Sequence, residues 1–198
     1  MSKGELTRQR IVELAAPLFN QRGFEGCSMQ DILDATGLKK GGIYRHFSSK
    51  EELAAEAFRY SLLQAFRLRL PDFDSQLSAV DRLRTLIKLF VEVPSPIPGG
   101  CPILNTAIEA DDGNPVLRDL AREGLKGWRT KVSEIVREGM TRKEIREDVE
   151  PRALANTIIA TLEGALMISR LEGSKAALKD ARQALEEMVS RLATSSDS

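Results

Sequence analysis

Histidine and cysteine are scarce in this chain, which has one His and two Cys among its 198 residues. Cys27 and Cys101 do not have the spacing of zinc ligands, and His46 adds no Cys/His cluster. A catalytic nucleophile–base pair is also missing, because the single histidine lies in a basic motif and Cys101 has no histidine partner elsewhere. We therefore predict no metal, no cofactor and no enzymatic activity, with a small helical enzyme as the alternative.

Strand patterns and long apolar runs are missing too. No segment combines apolar–polar alternation with enrichment in β-branched residues. The amino terminus, MSKGELTRQR, has no apolar signal core, and no apolar run approaches membrane-spanning length. These absences predict an all-α protein without a membrane segment, located in the cytoplasm, where thiols stay reduced.

Charge is balanced overall but unevenly distributed along the chain. The formal net charge is zero, so global electrostatics does not indicate a nucleic-acid binder. Residues 1–50, however, hold eight Lys and Arg against five Asp and Glu, and the remainder has the opposite excess. A basic amino-terminal part beside an acidic body suits a small DNA-binding head.

Apolar residues recur at helical spacing along the chain and predict about nine helices. The start and stop signals in the first half are Thr7, Gly23, Ser28 with Asp31, Gly37, and Ser49 with Glu52. The helices predicted after residue 70 cover 75–93, a segment starting at Pro102, 116–140, 151–171 and 174–192. The tail 193–198 is predicted to be frayed.

Residues 28–53, SMQDILDATGLKKGGIYRHFSSKEEL, form the most informative motif. They predict a short helix, a glycine-containing turn, a second short helix over 38–47 and a capped third helix, as in helix-turn-helix DNA readers. A reading helix needs an apolar face for its scaffold and a donor-rich face for the groove. The apolar residues here are Leu38, Ile43 and Phe47, and the donors are Lys39, Lys40, Tyr44, Arg45 and His46.

The glycine pair within this motif also indicates a groove-facing segment. Gly41 and Gly42 each cost roughly 0.8–1.0 kcal/mol in a helix relative to alanine. Two adjacent glycines therefore suggest close approach by a phosphate or a base edge. A loosely formed loop with a solvated charged face is the alternative.

The same stretch resembles the TetR family of bacterial transcriptional regulators. The family pattern is a Gly–Val turn, then Ser/Lys-Lys-Gly-Thr/Ala-Leu-Tyr-x-His-Phe, then Ser-Lys-Glu-x-Leu. The chain has GL at 37–38, KKGGIYRHF at 39–47 and SKEEL at 49–53, and the similarity extends over roughly residues 7–60. It departs from the pattern at Gly42, where a hydroxyl or methyl residue is common, and at Cys27, where Thr is common.

The resemblance implies a helix-turn-helix DNA-binding domain over residues 1–48 and a larger helical ligand-sensing and dimerisation domain over 49–198. It implies a homodimer on pseudo-palindromic double-stranded operator DNA, controlled by a small molecule or an electrophile. Repression rather than activation is the family's habit. The identity of the effector and the operator sequence remain open, and a helical adaptor that binds only protein is the remaining alternative.

The resemblance also assigns roles to individual positions in the motif. Tyr44, His46 and Lys50 are expected to clamp phosphates, and Ser28 to contact phosphate from the start of its helix. The groove-facing candidates are Lys39, Lys40, Gly41 and Arg45, with Gln30 reaching a base from the preceding helix. Arg and Lys suit guanine edges, and Gln suits adenine.

The second half of the chain fits an effector domain. The segment 154–171, LANTIIATLEGALMISRL, is apolar on more than one face and must be buried on several sides. With the amphipathic helix 174–192 it predicts a four-helix interface in a homodimer; an ordinary core helix is the alternative. Ligand-lining candidates, each also explicable as core, are Phe58, Leu62, Phe66, Phe90, Ile103, Ile108, Trp128, Val132 and Met167.

Cys101 is a further candidate for the effector site. It stands at or just before a helix amino terminus, where exposed N–H groups favour a thiolate. Its Gly-Cys-Pro-x-x-Asn context resembles TetR-type regulators that sense electrophiles or oxidants through cysteine, or bind aromatic compounds. A reactive switch and a buried cysteine packed as a small hydrophobe are both open interpretations.

Overall fold

The computed structural model describes residues 2–72, 76–111 and 113–194. Over these ranges the chain forms nine α-helices, and its one β pairing is an isolated bridge between Ile145 and Ala193. The all-α prediction is therefore confirmed. The helices are α1 (Lys3–Gly26), α2 (Met29–Thr36), α3 (Lys40–Tyr44), α4 (Lys50–Arg69), α5 (Ala79–Glu92), α6 (Pro102–Ala110), α7 (Pro115–Thr141), α8 (Pro151–Glu172) and α9 (Ala176–Ser190).

The first helix begins a turn earlier than predicted. Ser2 caps α1 through a reciprocal box, in which its hydroxyl accepts from the N–H of Glu5 and the Glu5 carboxylate accepts from the N–H of Ser2. Thr7 instead lies inside the helix, and its hydroxyl donates to the carbonyl of Lys3 at 3.0 Å. The prediction of Thr7 as the cap was wrong, because the box at Ser2 satisfies the free N–H groups first.

The start of α4 follows the predicted signal with one change of partner. The Ser49 hydroxyl accepts the N–H of Glu52 at 3.0 Å, as a cap should. The Glu52 carboxylate, however, accepts from the N–H and the hydroxyl of Ser48, both at 2.7 Å, rather than from Ser49. Later starts match the sequence more simply, since Pro102 and Pro151 are the first residues of α6 and α8. The predicted helix start at residue 75 and the tail beyond residue 194 lie outside the described residues.

The chain divides into two compact units, which we call the head unit (residues 2–66 and 95–125) and the body unit (residues 67–94 and 126–194). The core of the head unit joins α1, α2, α3 and α4. Its fully or almost fully buried members are Ile11, Val12, Ala15, Cys27, Ile32, Ile43, Phe47 and Leu53. Cys27 is thus a packing residue, and burial raises the pKa of its thiol.

In the body unit, α9 packs against both α5 and α8. The buried side chains of the body unit are mostly Leu, Ile and Val at helical spacing, such as Leu83 and Leu86 on α5 and Ile158 and Leu162 on α8. Arg182 on α9 pairs with Glu92 of α5 and Glu186 of its own helix, and these hydrogen bonds raise the pKa of Arg182. Amphipathic packing and a few surface ion pairs therefore define this unit.

One expectation about apolar runs needs correction. The helix α8 has 22 residues and contains an 18-residue window with a mean hydropathy of 1.2, which is long and apolar enough, by length and composition alone, to cross a membrane. Its inner residues Ala155, Ile158 and Leu162 are completely buried within the described chain. On its outer face Met167, Ile168 and Leu171 are 46%, 41% and 80% exposed.

Candidate nucleic-acid interface

The helix α2 is fixed at both ends by local hydrogen bonds. At its start, the Ser28 hydroxyl accepts the N–H of Asp31 at 3.1 Å, while the Asp31 carboxylate accepts the N–H and hydroxyl of Ser28 at 2.8 and 2.6 Å. At its end, Gly37 adopts a left-handed conformation with φ +67° and its N–H donates to the carbonyl of Leu33. The predicted box and stop are both present, and the turn to α3 follows directly.

The helix α3 is shorter than predicted, since it covers only Lys40–Tyr44. The two glycines supply little helix propensity, so the segment predicted over 38–47 keeps a single helical turn followed by a tight bend from the carbonyl of Ile43 to the N–H of His46. Ile43 and Phe47 are each 1% exposed and anchor this segment to the core. The predicted apolar face is therefore buried.

The opposite side of α3 presents donors to solvent. Lys39, Lys40 and Arg45 are exposed, and Tyr44 is 41% exposed with the Lys40 ammonium 5.8 Å from its ring centre. His46 is half-buried beside them. Four of the five predicted donors are therefore exposed and the fifth is half-buried, on a segment that Ile43 and Phe47 anchor to the core, as a reading helix requires.

Three other predicted contact residues have partners within the protein. The Ser28 hydroxyl is engaged in the cap of α2, and the Gln30 amide donates to Asp34 at 2.7 Å. The Lys50 ammonium lies 4.3 Å from the ring centre of Phe24, at the start of α4. The bond to Asp34 uses one N–H of the Gln30 amide, so the second N–H and the amide oxygen can still contact a base.

The two glycines of α3 differ in their surroundings. A methyl group built on Gly42 would touch the Leu38 side chain at 3.5 Å, whereas one on Gly41 would meet nothing within 4 Å. The fold itself therefore gives no steric reason for glycine at position 41. An external surface in close contact would supply one.

Replacing Gly41 by alanine should accordingly stabilise the protein and weaken its binding to DNA. We expect a gain of about 0.5–1 kcal/mol in the free energy of unfolding, because alanine is the better helix former. We expect operator affinity to fall by about tenfold, which corresponds to 1.4 kcal/mol and to one displaced contact. Urea unfolding and fluorescence anisotropy measure the two changes, and unchanged DNA affinity would contradict close approach at this glycine.

Acid should destabilise the head unit through Asp31 and Glu52. Hydrogen bonds from Ser28 lower the pKa of Asp31, and hydrogen bonds from Ser48 lower the pKa of Glu52. A carboxyl whose folded pKa lies below its unfolded pKa stabilises the fold above the unfolded value, and this stabilisation is lost as pH falls through the folded value. The melting temperature should therefore decrease once the pH is lowered below about 4. Circular dichroism should show that acid lowers the melting temperature of Ser28→Ala less than that of the wild type. An equal decrease in both proteins would contradict the role of the Ser28–Asp31 hydrogen bonds.

A polar network that the sequence did not predict joins α1, α6 and the loop between α5 and α6. The Asn105 amide donates to the Asn20 carbonyl at 2.9 Å and to the Gly99 carbonyl at 2.8 Å. The Asn20 amide donates to the carbonyls of Pro98 and Gly100 at 2.9 and 3.3 Å. Two asparagines inside helices, where they are poor helix formers, were the available signal.

A second contact of α6 lies at the end of α1. Gly23 has φ +77° and interrupts the helix, so the N–H groups of Phe24 and Glu25 turn outward. The Glu109 carboxylate accepts both, at 2.8 and 2.9 Å. Glu109 is thus a capping residue for the end of α1.

The predicted ligand-lining residues fall into both units. In the head unit, a Cβ added at Gly124 would lie 2.9 Å from the Leu62 side chain and 3.4 Å from that of Ile103, so both line the space beside this glycine. Phe58 is buried and Phe66 is half-buried. Cys101 is 5% exposed, precedes Pro102 as the cap residue of α6 and adjoins the asparagine network. The exposed Ile108, at 70%, does not fit the prediction of a lining residue, because its side of α6 faces solvent.

In the body unit, Phe90 and Trp128 stack with ring centres 5.5 Å apart, and Val132 is fully buried. The Arg69 guanidinium covers Phe90 at 4.5 Å from its ring centre. Met167, by contrast, lies on the outward face of α8 and is 46% exposed. Among the described residues no group of three or more His, Cys, Asp or Glu could hold a metal ion.

Comparisons with known proteins agree with this architecture. The family model described as "Bacterial regulatory proteins, tetR family" matches residues 11–57, and "Tetracyclin repressor-like, C-terminal domain" matches residues 79–185. The HTH-type transcriptional repressor DhaR of Mycobacterium sp. (strain GP1) is 31% identical over 172 residues, covering 85% of this chain and 84% of DhaR.

Solved structures give the same result. A TetR transcriptional regulator from Chloroflexus aurantiacus is 42% identical with a TM-score of 0.91, and the alignment covers 98% of each chain. A TetR-family regulator from Cytophaga hutchinsonii is 33% identical, again with a TM-score of 0.91 and 98% of each chain covered. The chain belongs to the TetR family. It is a helix-turn-helix, DNA-binding transcriptional regulator and not an enzyme.

Proposed function

We propose that this regulator is a homodimeric repressor that leaves a pseudo-palindromic operator when a small molecule binds. Residues 1–48 would be the DNA-binding domain, and residues 49–198 would bind the effector and form the dimer. As a regulator of bacterial genes it would act in the cytoplasm, where the chromosome lies. The observation that carries the proposal is the surface of Lys39, Lys40, Tyr44, Arg45 and His46 on a segment anchored by buried Ile43 and Phe47.

The outer face of α8 supports the dimer. Ala160, Gly164, Met167, Ile168 and Leu171 recur at i, i+4, i+7, i+8 and i+11, which places them on one side of the helix. A methyl group at Gly164 would meet nothing within 4 Å, so a second helix could approach closely there. A large apolar stripe of this kind is the usual mark of a protein interface.

Release from DNA would be a shift between two populations of the dimer. Two reading heads bind neighbouring half-sites only when they lie about one helical turn, roughly 34–36 Å, apart. An effector could bind more tightly to a state of the dimer in which the heads have a different spacing. It would then lower operator affinity by at most the ratio of its affinities for the two states. The expected result is repression without effector and transcription with it.

For the effector site we propose the stacked pair Phe90 and Trp128. The Trp128 side chain is 4% exposed, and its indole N–H has no hydrogen-bond partner among the described residues. An effector with an oxygen acceptor would satisfy that donor. The buried state of Cys101 favours packing at the start of α6 over direct attack by an electrophile. Because the chain has one Trp, its fluorescence reports this site directly.

An electrophoretic mobility shift with the intergenic DNA beside the protein's own gene tests the function. The wild-type chain should retard this DNA at low salt and micromolar concentration. The double variant Tyr44→Ala/Lys50→Ala should lose binding, while a variant on α7, Lys126→Ala, should keep it. If the wild type retards none of the neighbouring promoters, or the double variant binds as well as the wild type, the proposal fails.

A further inference from the structure

We propose that Arg10, together with Lys3, binds phosphates of the operator duplex beside the reading helix. This extends the DNA surface from α2, α3 and the start of α4 to the first helix. The inference rests on the proposed function, because it assigns further contacts to the same complex. Two features of the head unit point to this contact: the distribution of charge on α1 and the groove that Arg10 lines.

The charges on α1 are separated onto two sides of the helix. Lys3, Thr7, Arg10 and Leu14 lie at i, i+4, i+7 and i+11, which places them along one side. Glu5, Gln9 and Glu13 lie at i, i+4 and i+8 along another side, with the amide of Gln9 donating to Glu13 at 2.8 Å. One flank of α1 is therefore cationic and the other is acidic.

The cationic flank borders the turn that leads into α3. A groove of about 240 Å³ is lined by Thr7, Arg10, Ile11 and Leu14 of α1 on one side, and by Thr36 and Leu38 of that turn on the other. Lys39, the cap residue of α3, follows Leu38 directly and is exposed. Arg10 and the start of the reading helix therefore flank the same groove.

The hydroxyl groups in this groove are already used within the fold. Thr7 donates to the carbonyl of Lys3, and Thr36 donates to the carbonyl of Ile32 at 2.8 Å. Arg10, in contrast, is exposed, and neither it nor Lys3 has an ion-pair partner among the described residues. The guanidinium is thus the group in this groove that remains available to an external ligand.

Arg8, two residues earlier, shows what a structural arginine looks like in the same helix. Its guanidinium pairs with Glu52 and Glu56 of α4 and covers the Phe47 ring at 4.4 Å from the centre. The hydrogen bonds that Arg8 donates to Glu56 and Glu52 raise the pKa of Arg8. Arg8 therefore stabilises the packing of α1 on α4, whereas Arg10 contributes nothing comparable to the fold.

A duplex phosphate backbone is the ligand that fits this arrangement. When a reading helix enters the major groove, the sugar–phosphate strands form the edges of that groove and pass beside the helix ends. Exposed Arg and Lys at such an edge bind phosphate without reading sequence. Arg10 should therefore add affinity and salt dependence but no base preference.

The test measures how operator affinity depends on salt. The logarithm of the observed binding constant falls linearly with the logarithm of salt concentration. Each lost phosphate contact makes this slope shallower by about 0.9 for duplex DNA. Arg10→Gln should make the slope shallower by about that amount for each head bound. The double variant Lys3→Gln/Arg10→Gln should make it shallower still. Affinity is measured by fluorescence anisotropy with labelled intergenic DNA and with a scrambled duplex of the same length. Each variant should lose the same fraction of its affinity for both duplexes.

Two variants that each remove one charge serve as controls, Lys126→Gln with the same change of charge as Arg10→Gln and Glu13→Gln with the opposite change. Lys126→Gln removes an exposed cation on α7 and should leave the slope unchanged. Glu13→Gln removes a charge from the acidic flank of α1 and distinguishes direct contact from a general field, because only a general field would make it change the slope as strongly as Arg10→Gln. Gln is a good helix former, so circular dichroism should show unchanged melting for Arg10→Gln.

The outcomes separate this inference from the proposed function. If the wild type does not bind DNA, the proposed function fails first. If Tyr44→Ala/Lys50→Ala weakens binding while Arg10→Gln gives the same slope as Lys126→Gln, only the role of Arg10 is overturned. A loss on the operator but not on the scrambled duplex would also overturn it, because it would indicate base reading instead of phosphate contact.

Discussion

Replacing Ile168 by glutamate should convert the proposed dimer to monomers and abolish tight operator binding. Ile168 is 41% exposed on the apolar stripe of α8, between Gly164 and Leu171. In a twofold symmetric interface one substitution introduces two carboxylates. At about 2 kcal/mol for each residue of this kind, the dimer dissociation constant should rise roughly 1000-fold.

The measurement is sedimentation velocity combined with mobility shift. Ile168→Glu should sediment as a monomer and should bind half-sites independently and weakly. The matched control is Val116→Glu, because Val116 is also 41% exposed but lies on α7. A dimeric Ile168→Glu protein with normal operator affinity would exclude this face of α8 as the interface.

Replacing Gly99 by alanine should strongly destabilise the protein. Gly99 has φ +112°, a conformation that side chains rarely adopt, and an added Cβ would lie 2.5 Å from the carbonyl oxygen of Asn20. Backbone atoms of a packed helix cannot move aside as a flexible side chain can. We therefore expect a loss of about 2–4 kcal/mol in the free energy of unfolding.

Thermal unfolding followed by circular dichroism measures the effect of this substitution. For a chain of this size each kcal/mol corresponds to about 2–4 °C, so the melting temperature should fall by about 5–15 °C. Gly41→Ala is the natural comparison, since a methyl group there meets open space. A melting temperature for Gly99→Ala within a degree or two of the wild type would contradict the close approach of this loop to α1.

The predictions that succeeded rest on local signals. The alternation of Ile43 and Phe47 with charged residues could be recognised from the sequence because a helical turn has a fixed period. The predictions of Ser28 and Ser49 as capping residues were confirmed for a similar reason, because each hydroxyl accepts from an N–H group only three residues away. The family pattern then supplied functional roles for side chains that physical reasoning identified only as exposed donors.

The features that were missed depend on contacts across the chain. Asn105 meets Asn20, and Glu109 meets the N–H groups of Phe24 and Glu25, although more than 80 residues separate the partners. No local pattern encodes such a meeting. The early start of α1 and the Ser48 partner of Glu52 were missed for a smaller reason: more than one Ser or Thr near each helix start could fill the same role.

The Glu109 carboxylate at the interruption of α1 restricts how this protein can evolve. A Cβ atom at position 23 would lie 2.5 Å from one carboxylate oxygen of Glu109 and 2.6 Å from the other. Homologues that replace this glycine should therefore carry a shorter residue at the position of Glu109, and the two sites should covary. Ancestral substitutions at these sites would have to be acquired in a set order, with the shortening at 109 preceding the side chain at 23.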